Sequence, residues 1–227
     1  GKYKSLFLAN RGSKQERLAA LMDAIAEIYA SIFGPDPIEY RHERGLIDVY
    51  EEMGILVQEA VGTQVGPYFL PAFAGVAFSR NEFRWSSRIK REDGLIRMVP
   101  GLGTRAVDRL SDDFPILIAP GQPNLRVNVT TDEMRRYSPR SIDVINLESN
   151  TFETIEIADL LREYGHEYPL VHKIVSIFEH DHMRQPVGLH IDFDAADVAV
   201  TFNGLVTTTP FVRQIHAMTR LLQEKLE

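Results

Sequence analysis

Six arginines, Arg80, Arg84, Arg88, Arg91, Arg97 and Arg105, fall within one short stretch of a chain whose formal net charge is −7. A guanidinium group matches phosphate oxygens in geometry as well as in charge. Gly101 and Gly103 stand beside Arg105, and backbone N–H groups in such a turn can face an anion, so the pattern points to an anion pocket. The bland reading of the same residues is a solvated basic loop. The histidines offer a second chemistry. His180 and His182 stand two apart in EHDHM, and HIDFD places His190, Asp192 and Asp194 on one side of a possible strand. Metal sites use such ligands. Yet positions i and i+2 on a helix point to different faces, and nothing fixes the distance between the two groups. A solvated helix end followed by a polar edge strand is the better reading, so no metal ligand is assigned.

Other chemistries are excluded or lack support. There is no cysteine, which removes disulfides, thiolate zinc sites and a cysteine nucleophile. No GxSxG elbow, HExxH helix or full Walker A loop occurs, and no catalytic residue is assigned. The acidic balance argues against a general nucleic-acid binder, whose affinity rests on neutralising phosphates. A small anionic ligand is still admitted, because local arginines can oppose the global sign. No apolar run approaches the roughly 20 residues of a membrane helix, and GKYKSLFLAN is too short and interrupted for a signal peptide. The expectation is a soluble, cytoplasmic protein with no membrane partner, an oligomer being left open.

Elements must position these groups. The length of 227 residues admits one large domain or two small lobes. Leu18, Leu21, Met22, Ile25, Ile28, Tyr29 and Ile32 share one face of a helical period. Ser13 and Glu16 form a capping-box signature at its start, and Gly34-Pro35 ends it. A second helix is expected around Pro37–Glu52, with Tyr40, Leu46 and Tyr50 inward. Strands are expected at Ile55–Val61, Gly75–Ser79 and Leu95–Val99, with the basic loop NEFRWSSRIKREDG between the last two. PGLGTRAVDRL reads as a glycine-rich turn opening into a short helix or a further strand. Phe114–Ala119 and Arg126–Val129 read as strands around PGQPN, and Ile142–Leu147 with Phe152–Ile157 as a hairpin. Ala158–Met183 reads as two helical pieces broken near Gly165–Pro169. Val198–Phe202 and Leu205–Thr207 flank Asn203-Gly204, a strong hairpin signal. Pro210–Leu226 is a closing amphipathic helix. Mixed strands and flanking helices argue for an α+β or mixed α/β fold without an all-parallel sheet.

Five segments in order, GKYKSLF, IFGPDPIEYRHERG, GILVQEAV, AGVAFSRN and GLIRMVPGLG, resemble a known family. They are similar to the FAG-x-Y-x-T loop, the F…A..YR...G segment, the v.VQ.MV and sGV.FTRNP strands and the wGLGE segment of one domain. That domain is the nucleotide-binding domain of phosphoenolpyruvate synthase and pyruvate, phosphate dikinase. From about Phe114 the match is loose, although DVINLESNTFETIEI and the closing helix sit where the family has equivalents. The resemblance implies an ATP-grasp-like domain with a mixed, largely antiparallel sheet and flanking helices. Its parts would be a helical lobe over 1–53, a strand-rich nucleotide cleft over 54–157, and helices with a hairpin over 158–227.

Carried over by position, the resemblance implies ATP-binding roles for several residues. Gly1, Lys2 and Ser5 would be the remnant of the phosphate loop, and Gln58, Glu59 and Val61 would lie on the strand at the adenine. Gly75, Ser79 and Arg80 would lie on its neighbour, and Gly101, Gly103 and Arg105 at the GLG turn. It further implies ATP and magnesium as cofactors of a longer parent. There, phosphoryl transfer to a histidine on a swivelling domain precedes transfer to pyruvate. The partners would then be phosphohistidine and pyruvate-binding domains of the same chain, with no nucleic acid. Two departures stand out: Thr104-Arg105 replaces the acid that follows GLG, and Glu82 replaces the proline after Asn81. The chain is read as a central excerpt without the family's early lysine and arginine or its later D-x-E…Q-x-R strands, hence inactive alone. The alternatives are a degenerate nucleotide-sensing module, or a dikinase with another acceptor such as an antibiotic or a glucan.

Overall fold

The capping box opens α1 (Lys14–Ala30) as the sequence predicts: the Ser13 N–H donates to Glu16 Oε2 at 2.6 Å and the Glu16 N–H to Ser13 Oγ at 3.3 Å. The computed structural model describes residues 3–49, 52–107, 114–188 and 191–226, so Gly1, Lys2, Tyr50 and His190 lie outside the described residues. Gly34, extended, ends the first helical stretch, and Pro35 starts α2 (Pro35–Glu43), where its missing N–H costs no helical hydrogen bond. The face of α1 that is covered is narrower than its apolar period. Ala24 is buried and Leu21, Ile25 and Ile28 are half-buried, while Leu18, Met22 and Tyr29 are exposed. Periodicity marks which positions are apolar; it does not say how many of them a neighbour reaches. The second helix stops at Glu43, nine residues short of the expected Glu52, because the chain turns back there: Gly45 N–H bonds His42 O and Leu46 N–H bonds Arg41 O.

The chain divides into two compact units, one of Gly1–Val61 with Ile145–Phe152 and one of Gly62–Val144 with Glu153–Glu227. In the first, Phe7 stacks on Phe152 with ring centroids 5.7 Å apart. The expected strand Ile55–Val61 does not form. These residues join no ladder among the described residues, and Leu56 and Val57 are 79% and 68% exposed. A β-prone sequence becomes a strand only where a partner supplies its hydrogen bonds.

The strands lie in the second unit, except for the ends of Ser141–Asn146 and Thr151–Glu156 that fall within Ile145–Phe152. β1 (Thr63–Val65), β2 (Tyr68–Leu70), β6 (Ser141–Asn146) and β7 (Thr151–Glu156) lie in that order in one sheet. A second sheet runs β3 (Phe73–Phe78), β4 (Leu95–Pro100), β5 (Ile116–Ile118) in antiparallel ladders, with Phe73 opposite Pro100 and Phe78 opposite Leu95. The third is β10 (Val198–Val200), β8 (Val175–Glu179), β9 (His182–Arg184), also antiparallel. Between and after them come α3 (Thr104–Val107), α4 (Thr131–Arg136), α5 (Ile157–Tyr164), α6 (Val171–Ile174), α7 (Asn203–Thr208) and α8 (Phe211–Leu226). One apolar core joins the sheets through Leu70, Met98, Ile118, Ile142, Ile174 and Phe202. Helices with antiparallel sheets make the α+β class expected.

Three local expectations are corrected. The helical reading of Ala158–Met183 fails after Ile174, where β8 and β9 form a hairpin turning at His180, whose φ is +54°. Val175, Ser176, Ile177 and Phe178 are all buried, and a short run buried on both faces has no period to separate strand from helix. Arg126–Val129 is an irregular segment leading into α4, which Thr130 and Glu133 cap and which the sequence reading missed. Asn203-Gly204 begins α7 instead of a hairpin turn. The turn is made one residue earlier, by Phe202 at φ +54°, fully buried, its N–H on Ile174 O. Gly204 is needed for closeness: a Cβ there would lie 2.9 Å from Lys173 Cα.

Candidate functional site

The end of β4 carries the glycine turn. Gly101 has φ +67°, and a Cβ there would sit 2.5 Å from Ile142 Cγ1 and 2.7 Å from Asp143 O, so only glycine fits both the conformation and the space. Gly101 bridges Asp143 in parallel fashion, and Leu102 N–H donates to Asp143 O at 3.0 Å. The turn then winds into α3, with Ala106 N–H on Gly103 O at 3.1 Å. Gly75 lies alongside, opposite Met98 in register; its missing Cβ lets Arg97 O approach. At Gly103 a Cβ would be 3.2 Å from Ala74 Cβ. Gly75, Gly101 and Gly103 are thus brought together where β3 and β4 meet the turn.

Beneath the turn is a buried polar cluster centred on Asp143, which is 3% exposed. Thr104 Oγ1 donates to Asp143 Oδ2, and Thr154 Oγ1 donates to Oδ1 at 2.7 Å. Arg105 Nη1 lies 3.5 Å from the same Oδ1, with Arg105 7% exposed. Tyr168 adds a second support, its hydroxyl donating to Ala72 O at 2.7 Å. Burial pushes the Tyr168 phenol well above its ordinary value, against a smaller opposing effect of a backbone hydrogen bond at Gly101, so the group stays a proton donor. Asp143, Thr154 and Tyr168 escaped the sequence reading. The one signal was for Asp143, a carboxylate between the apolar Ile142 and Val144.

The other expected residues fall elsewhere. Ser79 and Arg80 follow the far end of β3, about 20 Å from the glycine turn by strand rise, with Ser79 half-buried and Arg80 exposed. Ser5, Gln58, Glu59 and Val61 belong to the first unit and are exposed there. The arginines also part company. Arg105 is buried on Asp143, Arg91 pairs with Glu82 at 2.6 Å, Arg97 is half-buried on β4, and Arg84 and Arg88 are exposed on the loop between β3 and β4. Among the described residues no three histidine or carboxylate groups converge on a point that could hold a metal, and Asp143 is committed to Thr104, Thr154 and Arg105. These residues do not supply a magnesium ligand set. A surface pocket of about 270 Å³ lies away from the turn, lined by Ile177, Arg184, Val187, Ile191 and Asp192 among others. No helix in the described residues is by itself long and apolar enough to cross a membrane.

Comparison with known proteins adds to this geometry. No curated protein and no solved structure matches the chain. A family model does, that of the pyruvate phosphate dikinase AMP/ATP-binding domain, over residues 1–221. That match takes in the glycine turn, the strands that frame it and the cluster that holds it, and the chain therefore belongs to the pyruvate phosphate dikinase AMP/ATP-binding domain family.

Proposed function

We propose that the Gly101–Arg105 turn forms the phosphate-facing wall of an ATP site in a phosphoenolpyruvate synthase-like or dikinase-like phosphotransferase. One observation carries the reading: a glycine turn, with Gly101 at positive φ, pinned by Asp143 and flanked by Gly75, within a chain of this nucleotide-binding family. A turn whose backbone is held in place in this way can bring its remaining N–H groups close to phosphate oxygens without reorganising when the nucleotide arrives. Gly75, Gly101 and Gly103 act by letting Arg97 O, Asp143 O and Ala74 pack closely against the turn, and Arg105 acts by positioning the turn through Asp143. Ser79 and Arg80, past the far end of β3 in the same unit, are assigned to the remainder of the nucleotide site, while Ser5, Gln58, Glu59 and Val61, in the first unit, keep their roles on the resemblance alone.

The reaction served is transfer of a phosphoryl group from ATP to a histidine of a swivelling domain, then to pyruvate. The residues assigned here bind and orient; none is assigned to the bond-breaking step, so the chain alone is expected to bind ATP weakly and to show no turnover. The parent enzyme, given ATP and pyruvate, should yield phosphoenolpyruvate, AMP and a phosphohistidine intermediate. Absence of all three would sink the enzyme reading. Calorimetry showing micromolar, magnesium-dependent affinity for the chain alone would overturn the expected weak binding. A second reading, a nucleotide-sensing module without transfer chemistry, is favoured by the burial of Arg105 on Asp143 directly after the glycine turn. It predicts nucleotide binding by the parent with no phosphohistidine.

A further inference from the structure

The loop between β3 and β4 is anchored at four places. Asn81, fully buried, donates its N–H to Arg91 O at 2.7 Å and accepts the Phe83 N–H on Oδ1 at 2.9 Å. The Trp85 indole N–H donates to Leu125 O at 2.9 Å. Ile89 is 3% exposed. The buried Asp93 takes the Lys90 N–H on Oδ2 at 2.8 Å and the Gly121 N–H on its carbonyl at 2.9 Å. Between these anchors Phe83, Arg84, Arg88 and Lys90 are exposed. The last three make no ion pair among the described residues, whereas the neighbouring Arg91 is held by Glu82.

A loop whose backbone is anchored, carrying cations that make no ion pair among the described residues beside a 58% exposed phenylalanine, has its backbone ordering settled before any ligand arrives. We propose that this loop is a docking surface for an acidic polypeptide segment. Guanidinium groups take carboxylates in bidentate fashion, and the exposed Phe83 ring, its centroid 6.3 Å from that of the Trp85 ring, adds an apolar contact on the same loop. A short acidic segment lies within one screening length, about 8 Å, of the local positive field. A long polyanion such as a nucleic acid would also meet the repulsion of a molecule of net charge −7. The proposal does not rest on the nucleotide reading.

The test uses the full chain and a fluorescein-labelled peptide rich in Asp and Glu. Trp85 is the chain's single tryptophan, so its emission reports on the loop directly. Peptide addition should raise anisotropy and change Trp85 emission, and the affinity should fall about tenfold in Arg84→Glu/Arg88→Glu and also fall with added salt. Both substituted side chains are exposed, and an unchanged thermal melt establishes that the variant folds. Four results would overturn the proposal: no binding, equal binding by the variant, tighter binding of an oligothymidylate of matched charge, or displacement of the peptide by ATP. The last would place the loop in the nucleotide site while leaving the assignment of the glycine turn intact.

Discussion

Asp143 holds the glycine turn from beneath, and its charge is balanced inside the protein by Arg105, Thr104 and Thr154. Removing one member of a buried pair strands the other, so Asp143→Ala should cost about 3–5 kcal/mol, whereas replacing both Asp143 and Arg105 with apolar residues of similar volume should recover much of that loss. Denaturant titration of the two single variants and the double variant measures the coupling. A single-variant loss near zero would mean that the pair does not hold the turn. Little of this was readable beforehand. Thr104 registered as a departure from a pattern and Arg105 as a phosphate ligand as well, and their partner lies 39 residues downstream of Thr104. No local rule connects positions so far apart.

Helix starts, by contrast, are local chemistry. The N-termini of α1 and α4 are both closed by capping boxes, Ser13 with Glu16 and Thr130 with Glu133. Backbone hydrogen bonds from Thr130 and Val129 hold the Glu133 carboxyl below the ordinary carboxylate value. A depressed folded-state pKa means that the cap's contribution is complete above the unfolded value and is lost as pH falls through the folded one. An NMR titration should therefore show Glu133 ionising below an unperturbed glutamate. The amide shifts of α4 should follow it, and Glu133→Gln, which keeps an acceptor, should flatten that dependence. A midpoint at or above the ordinary value would contradict the cap. The box at Ser13 was legible because it spans four residues before a clear helical period. The same box at Thr130 was passed over because α4 is short and Met134 is its only apolar residue.

At the scale of the molecule, Glu52–Gly62 has no regular secondary structure and precedes the second unit's first strand. Segments without ladder or helix hydrogen bonds open at little cost. Limited digestion with a glutamate-specific protease should cut first after Glu52 or Glu59, as read by mass spectrometry. Early cutting within β6–β7, at Glu153 or Glu156, would show the second unit to be the weaker one.

Sequence by itself determined what depends on neighbours within a few residues. The Ser13–Glu16 cap, the Gly34-Pro35 break, the strands around AGVAF and LIRMV, the ESNT hairpin and the glycine turn are all of this kind. Tertiary structure decided whatever depends on a distant partner. It left Ile55–Val61 unpaired, folded Val175–Arg184 as a hairpin within the core, and used Gly204 for close packing against Lys173 in place of a turn. It also divided the arginines between a buried pair and an exposed loop. The reason is physical: propensities and caps act through local backbone geometry, while ladder pairing, burial and charge compensation are set by whichever residues the folded chain brings into contact.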